Sequence, residues 1–355
     1  MRILYITYVD QDFVSSGSGV RPAKMLKAFR EEGHEILLLS GMQTHGKRSK
    51  QIKKIEKEIK RCRPDLCYIE SPTYPIMLHA DRRLIKTICK SGIPTGYFYR
   101  DFYRKFPDLF PRRTGLKGRA KEWILDFLQY LTDRVLHYCD IIYLPSEECK
   151  ELMDYKKMIA LPPAGENRLV ANRQPNHTVI YVGGIADIYG GRFLLDVFHE
   201  LYSRCADYKL ILVCRKEEWE KFYNPYGETK WLEVHHASGD KELAPLYQTA
   251  SAAVSGKSQN VYNEFAVSVK TFEYLSYGLP QVVVKSKAVA RIIEKEKIGK
   301  VVEQDVIAFA DALEELLNNY QEYETFQQNI QEALLNRHLW IHRVGQIIDN
   351  LSHKD

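Results

Sequence analysis

Short apolar runs alternating with amphipathic stretches constrain this chain most, because parallel strands must be joined by long crossovers rather than tight turns. Residues 3–6, 36–39, 66–69, 96–99, 141–144 and 159–161 read as buried strands. Helices are expected over about 47–61, 79–90 and 117–138. Another should follow the loop Ser16-Gly17-Ser18-Gly19, with Ala23, Leu26 and Phe29 on one face. Residues 162–176, from Pro162-Pro163-Ala164-Gly165 to Pro175-Asn176, are polar and strand-free and read as a linker. The pattern then restarts, with strands at 179–182, 210–213, 231–235, 252–255 and 282–284, a helix at 192–203 and a mostly helical end. The expected class is α/β, as two doubly wound Rossmann-like units that bind ligands at their strand C-termini.

Composition narrows the function classes. An apolar fraction of 45% suffices for two cores, and a net charge of +5 is too small to argue for nucleic acid. Seven cysteines, at 62, 67, 89, 139, 149, 205 and 214, are odd in number and scattered, which reads as reduced thiols in the cytoplasm. Cys62 and Cys67 lack the second pair of a zinc ribbon. His338 and His342 lack the glutamate of a zinc-protease helix, so no metal is expected. No apolar run reaches the roughly 18–20 residues that span a bilayer.

The sharpest functional signal is Lys270-Thr271-Phe272-Glu273-Tyr274, closed by Gly278-Leu279-Pro280. A helix starting near 268 offers the N–H groups of Val269 and Lys270 and a positive dipole end to a diphosphate. Glu273, about a turn further on, suits two neighbouring ribose hydroxyls; the bland alternative is a solvated helix carboxylate. Arg100 and Asp101 follow a strand, where Asp101 would deprotonate or orient an acceptor hydroxyl, or simply pair with Arg100 or Arg104. His235 and His236 close another strand, where the bland reading is a solvated loop histidine.

These pieces, in order, resemble a known family. They are Ser16 to Gly19, Tyr181-Val182-Gly183-Gly184 with Tyr189-Gly190, His235-His236-Ala237-Ser238-Gly239 with 243–253, the Lys270–Glu273 segment, and a last helix with Trp340 and Arg343. Together they are similar to the retaining GT-B glycosyltransferases of the family-4 group, the glycosyl transferases group 1. The resemblance implies an acceptor-binding domain at 1–165, a nucleotide-sugar domain at 166–335 and a helix at 336–355 crossing back to the first. It also implies retaining transfer, without metal or cofactor, from a UDP- or GDP-linked sugar to a glycan or lipid-linked acceptor in cell-surface polysaccharide synthesis. Ser18, Gly19, Arg100 and Asp101 would then hold the acceptor, Glu273 the donor ribose, and His235 or His236 would lie near the donor base and sugar. Two departures stand out. The family's second glutamate falls on Phe265, with Glu264 one residue away. Gly184 and Tyr189 stand where an Arg and a Lys usually face the diphosphate. Arg215, Lys216, Lys270 and the N–H groups at 267–270 are the expected substitutes. A nucleotide-sugar 2-epimerase and a non-catalytic binding subunit are the alternatives on the same fold.

Two basic clusters remain. Residues 47–63 carry nine Lys or Arg against two Glu, and 100–121 carry eight against two Asp. The second is interleaved with Phe102, Tyr103, Phe106, Leu109 and Phe110, a composition suited to an anionic membrane surface at the inner face. The first reads equally as a solvated helix face. In helix 117–138, Ile124, Phe127, Leu128, Leu131 and Val135 recur at helical spacing and read as core, with Trp123 interfacial.

Overall fold

The computed structural model describes residues 1–10, 17–43 and 46–352. The chain divides into two compact units, Met1–Pro162 with Trp340–Asp355, and Pro163–Leu339.

In the first unit the elements run β1 (Arg2–Ile6), α1 (Gly17–Glu31), β2 (Glu35–Leu39), α2 (Lys47–Arg61), β3 (Leu66–Glu70), α3 (His79–Lys90), β4 (Thr95–Phe98), α4 (Gly115–Leu136), β5 (Ile141–Leu144) and β6 (Met158–Ala160). All ladders are parallel, in the order β2-β1-β3-β4-β5-β6. Strand order therefore reverses between β1 and β3, and a crevice is expected beyond their C-termini.

In the second unit the order is β7 (Thr178–Val182), α5 (Gly191–Arg204), β8 (Lys209–Val213), α6 (Lys216–Trp219), β9 (Leu232–His235), α7 (Gly239–Thr249), β10 (Ala252–Ser255), α8 (Val269–Ser276), β11 (Gln281–Val284), α9 (Lys287–Glu296), β12 (Gly299–Val302), α10 (Val306–Asn318) and α11 (Tyr320–Ala333). This sheet is also parallel, ordered β12-β11-β10-β7-β8-β9, with its reversal between β7 and β10. The last helix, α12 (Trp340–Ser352), belongs to the first unit and packs on α1. Trp340, Val344, Ile347 and Leu351 of α12 are buried, and Arg343 Nε donates to the Pro162 carbonyl at 2.9 Å.

Central strands are continuous apolar runs because helices cover both their faces. β3, β4, β5 and β11 are buried at every residue. One buried ion pair sits beneath α2. Arg48 and Asp81 are each 1% exposed, with Nε 2.9 and 3.0 Å from the two carboxylate oxygens. Arg48 Nη1 also donates to the carbonyls of Thr7 (3.0 Å) and Gly41 (2.6 Å), and the guanidinium lies over the Tyr8 ring. Arg48 is thus no part of a solvated basic face, although Lys50, Lys53, Lys54 and Lys57 of the same helix are exposed.

Four expectations need correction. The loop expected at 16–19 is helical from Gly17, while Ser16 lies outside the described residues. The first turn of a helix has no intrahelical acceptors for its N–H groups, so a Gly-Ser-Gly start is tolerated there. The expected linker at 162–176 is tied to the second unit by the largely buried Arg173. Its guanidinium donates to the carbonyls of Tyr247 (3.2 Å), Gln248 (3.1 Å), Ala250 and Tyr277 (3.1 Å). β12 was not anticipated: Gly299-Lys300 dilutes its apolar signal to Val301-Val302. Finally, the apolar stripe of α4 is not core. Leu125, Thr132 and Leu136 are its buried residues, while Ile124 and Phe127 are each 50% exposed.

Candidate active site

The second unit collects its chemistry at the strand reversal. β7 ends in Gly183-Gly184, and neither glycine has room for a side chain. A Cβ at Gly184 would lie 2.6 Å from the Tyr189 ring, and one at Gly183 would lie 2.9 Å from the Tyr181 hydroxyl. Gly190 has φ +74°, and a Cβ there would stand 1.6 Å from the Gly256 carbonyl oxygen. The turn entering α5 is thus pressed against the loop leaving β10, backbone on backbone.

Lys257 follows in that loop, two residues beyond the end of β10. It is half-buried and has no carboxylate partner among the described residues. Burial lowers its ammonium from the usual lysine range to about 8. Sequence reading missed it, because Ser255-Gly256-Lys257-Ser258 looks like an ordinary polar turn. Its only signal was its place immediately after a strand beside a reversal in strand order.

Helix α8 begins at Val269, capped by Ser268, whose Oγ accepts from the Lys270 N–H at 3.2 Å. The Val269 N–H has no partner among the described residues and stays at the positive end of the helix. Glu273 is a quarter exposed. Its Oε2 accepts from Tyr247 Oη at 2.8 Å and from Lys270 Nζ at 2.5 Å. Oε1 makes no hydrogen bond among the described residues. Tyr247 is clamped by stacking on Tyr277, with ring centroids 4.7 Å apart. Tyr274 is fixed by the N–H of Val182, the last residue of β7, which donates to its hydroxyl at 3.0 Å. The helix carrying Glu273 is thereby pinned to the mouth of β7. In this arrangement Lys270 is matched by Glu273, so its charge is already balanced before any ligand arrives.

The other expected donor residues are distributed differently. Arg215 caps α6, is 72% exposed, and reaches Glu218 at 3.3 Å. Lys216 is exposed, 4.0 Å from Glu220. His236 Nδ1 lies 3.0 Å from the Cys214 carbonyl, which can only accept, so Nδ1 carries the proton. His235 points instead to Glu233, at 2.6 Å. Glu264 is occupied elsewhere: its Oε2 accepts from the Lys287 N–H at 2.9 Å, and its carbonyl accepts from Ala288 at the start of α9. An Asp-x-Asp sequence, Asp10-Gln11-Asp12, follows β1, but Gln11 and Asp12 lie outside the described residues.

The first unit holds a cavity of about 650 Å³ beyond the C-termini of β3 and β4. Asp101, Tyr99, Gln129, Asp133 and Tyr155 line it. Arg100 Nε pairs with Asp101 at 2.9 Å and its Nη2 donates to Thr73 Oγ1 at 3.2 Å, so Asp101 reaches the cavity already oriented by a cation. Gln129 Nε2 bridges Asp133 (2.8 Å) and Tyr99 Oη (3.1 Å), and Tyr155 Oη donates to Asp133 at 3.1 Å. Burial raises the Asp133 carboxyl above its usual range, and raises the Tyr99 and Tyr155 phenols. Asp133, Gln129 and Tyr155 were not singled out from sequence, since α4 and the loop before β6 meet only in the fold. Ser18 and Gly19 fall in the first turn of α1.

Residues 176–319 match the family model described as Glycosyl transferases group 1. No curated protein matches the chain. Among solved structures, sucrose-phosphate synthase from Thermosynechococcus elongatus is similar at 13% identity and a TM-score of 0.66, with 99% of each chain covered. WaaG, a glycosyltransferase involved in lipopolysaccharide biosynthesis, is similar at 12% identity and 0.64, covering 99% of this chain and 100% of that one. An alpha-glucosyltransferase in complex with UDP is similar at 13% identity and 0.65, with the same coverage. Identities this low speak for the fold alone. The fold is GT-B, and the segment from just before β7 through α10 is similar to the glycosyl transferases of group 1.

Proposed function

We propose that this chain moves a glycosyl group from a nucleoside-diphosphate sugar to a glycan or lipid-linked acceptor, with retention of configuration and without a metal ion. The observation that carries the donor reading is Glu273: one carboxylate oxygen is fixed by Tyr247 and Lys270, and the other is open beside a free helix N-terminus. The open oxygen accepts from the ribose hydroxyls, while the Val269 N–H and the cations hold the phosphates. Lys257 joins Arg215 and Lys270 as a diphosphate cation and takes up the role of the missing Arg/Lys pair. Asp101 orients the acceptor hydroxyl. In the step itself the bond from the anomeric carbon to the diphosphate oxygen breaks, and a bond to the acceptor oxygen forms on the same face. The acceptor's proton passes to the departing phosphate. Stabilising that dianion and aligning two substrates supply the catalysis. The reaction is assigned to the cytoplasm and to cell-surface polysaccharide synthesis, the latter in keeping with the similarity to WaaG, a glycosyltransferase involved in lipopolysaccharide biosynthesis.

A thermal-shift screen against UDP, GDP, ADP and their sugar conjugates is the test, since a bound ligand raises stability by mass action. Stabilisation by one diphosphate and its conjugates is expected. NMR of the product made with an acceptor would then report the anomeric configuration. Isomerisation of the nucleotide-sugar with no acceptor present would favour the epimerase, and silence towards every diphosphate would favour the non-catalytic reading.

Lys257 gives the site a pH dependence. Near neutral pH its ammonium is charged; above about 8 the free protein holds it neutral, and binding an anion then requires proton uptake. Nucleoside-diphosphate affinity is therefore expected to fall as pH rises from 8, by up to about tenfold per unit. Lys257→Met should weaken binding at pH 7 and flatten the profile between pH 7 and pH 9. A wild-type affinity that is level across that range, by calorimetry, removes Lys257 from the phosphate site.

A further inference from the structure

Helix α4 leaves a large apolar face uncovered. Leu116 is 89% exposed, Trp123 70%, Tyr130 55%, and Ile124 and Phe127 50% each. Leu116, Trp123, Phe127 and Tyr130 are seven, four and three residues apart, so they fall on one stripe. Trp123 and Phe127 stack nearly parallel, with centroids 6.1 Å apart and planes at 7°. The adjoining side of the helix is committed inward: Asp126, Gln129 and Asp133 line the cavity of the first unit. A stripe of this kind on a charged, water-facing helix marks an interaction surface.

Charge identifies the partner. Lys105, Arg113, Lys117, Arg119 and Lys121 are exposed, and none has a carboxylate within ion-pair distance among the described residues. Arg104 and Arg112 are the neighbours already neutralised, by Glu122 and Asp126. Of the residues that the sequence placed among these cations, Phe102 and Phe106 are buried, Tyr103 and Phe110 are partly buried, and Leu109 is 38% exposed. The aromatics on the surface are instead those of α4. A second copy of the chain would bring the same cations against themselves, since a two-fold contact pairs like patches. An anionic bilayer satisfies both halves: headgroups meet the cations, and Trp, Tyr and Phe sit at the boundary with the acyl chains. Among the described residues no helix is long and apolar enough to cross a membrane, so the contact is with the surface.

We propose that the outer face of α4 docks flat on an anionic lipid bilayer, with Leu116, Trp123, Phe127 and Tyr130 in the interface and Arg113, Lys117, Arg119 and the exposed Arg134, which lies over the Tyr130 ring, among the headgroups. The docking does not depend on the transfer reaction, and flotation itself needs no nucleotide.

The test is flotation of the full chain with vesicles of phosphatidylcholine alone and of phosphatidylcholine mixed with phosphatidylglycerol. The wild type is expected to float with the mixed vesicles only, and to be released by salt. The double variants Trp123→Ser/Phe127→Ser and Arg119→Glu/Arg134→Glu should each lower the bound fraction about tenfold or more, with thermal unfolding and nucleotide-induced stabilisation as in wild type. A wild type that stays at the bottom with mixed vesicles overturns the proposal. So do variants that float like wild type, or a concentration-dependent dimer that the Trp123→Ser/Phe127→Ser change dissolves while vesicles do nothing. Loss of flotation with nucleotide stabilisation intact leaves the glycosyl-transfer reading standing; the converse result leaves the docking standing.

Discussion

Replacing Glu273 with alanine is expected to weaken nucleoside-diphosphate binding about 10- to 100-fold, the cost of removing charge-assisted hydrogen bonds to two hydroxyls. The change takes away the open Oε1 and also the counter-charge of Lys270, 2.5 Å from Oε2. Freed Lys270 would offset part of the loss at the phosphates, so Glu273→Gln is the cleaner comparison. It keeps the size and one acceptor while removing the charge. Turnover should fall further than affinity, because a loosely held ribose misplaces the anomeric carbon. Isothermal titration with the diphosphate, paired with kcat/KM on the conjugate, reads both. Wild-type affinity in Glu273→Ala would dismiss the ribose contact altogether.

Arg48→Ala is expected to destabilise the first unit by about 3–5 kcal/mol, since it abandons a carboxylate at 1% exposure. Asp81 would then have to be buried as an uncompensated charge or take up a proton. Burial already raises the Asp81 carboxyl, and the Arg48 guanidinium, followed by the charge of Arg82, opposes this rise. The unfolding midpoint of the unit should drop by roughly 10 °C, read by calorimetry. Arg48→Met with Asp81→Leu should recover most of the loss, as removing both charges leaves nothing unpaired. A single variant as stable as wild type would mean that water reaches Asp81 in solution.

Legibility in the sequence followed the range of the interactions. α2 and α3 could be bounded at 47–61 and 79–90 because their apolar spacing and flanking breakers are local. The same periodicity in α4 revealed amphipathicity but not which stripe faces inward, since Leu125, Thr132 and Leu136 obey the helical spacing as well as Ile124 and Phe127 do. Glu273 was visible through its closed helix and Gly-Pro stop. Lys257 was not, because its environment comes from strand order, with β7 and β10 neighbours despite some seventy intervening residues. The Arg48–Asp81 pair joins residues 33 positions apart and leaves no pattern in the chain. Glu264 shows the reverse hazard: proximity to an expected position suggested a ligand contact, while the side chain caps α9.

The return of α12 to the first unit makes that unit discontinuous, with its final helix separated from the rest by all of Pro163–Leu339. During synthesis the opening half therefore cannot be sealed until residues 340–352 have been made, and until then the α1 surface that receives Trp340, Val344, Ile347 and Leu351 stays wet. A nonsense codon just ahead of Trp340 would consequently injure the part of the molecule that was made first.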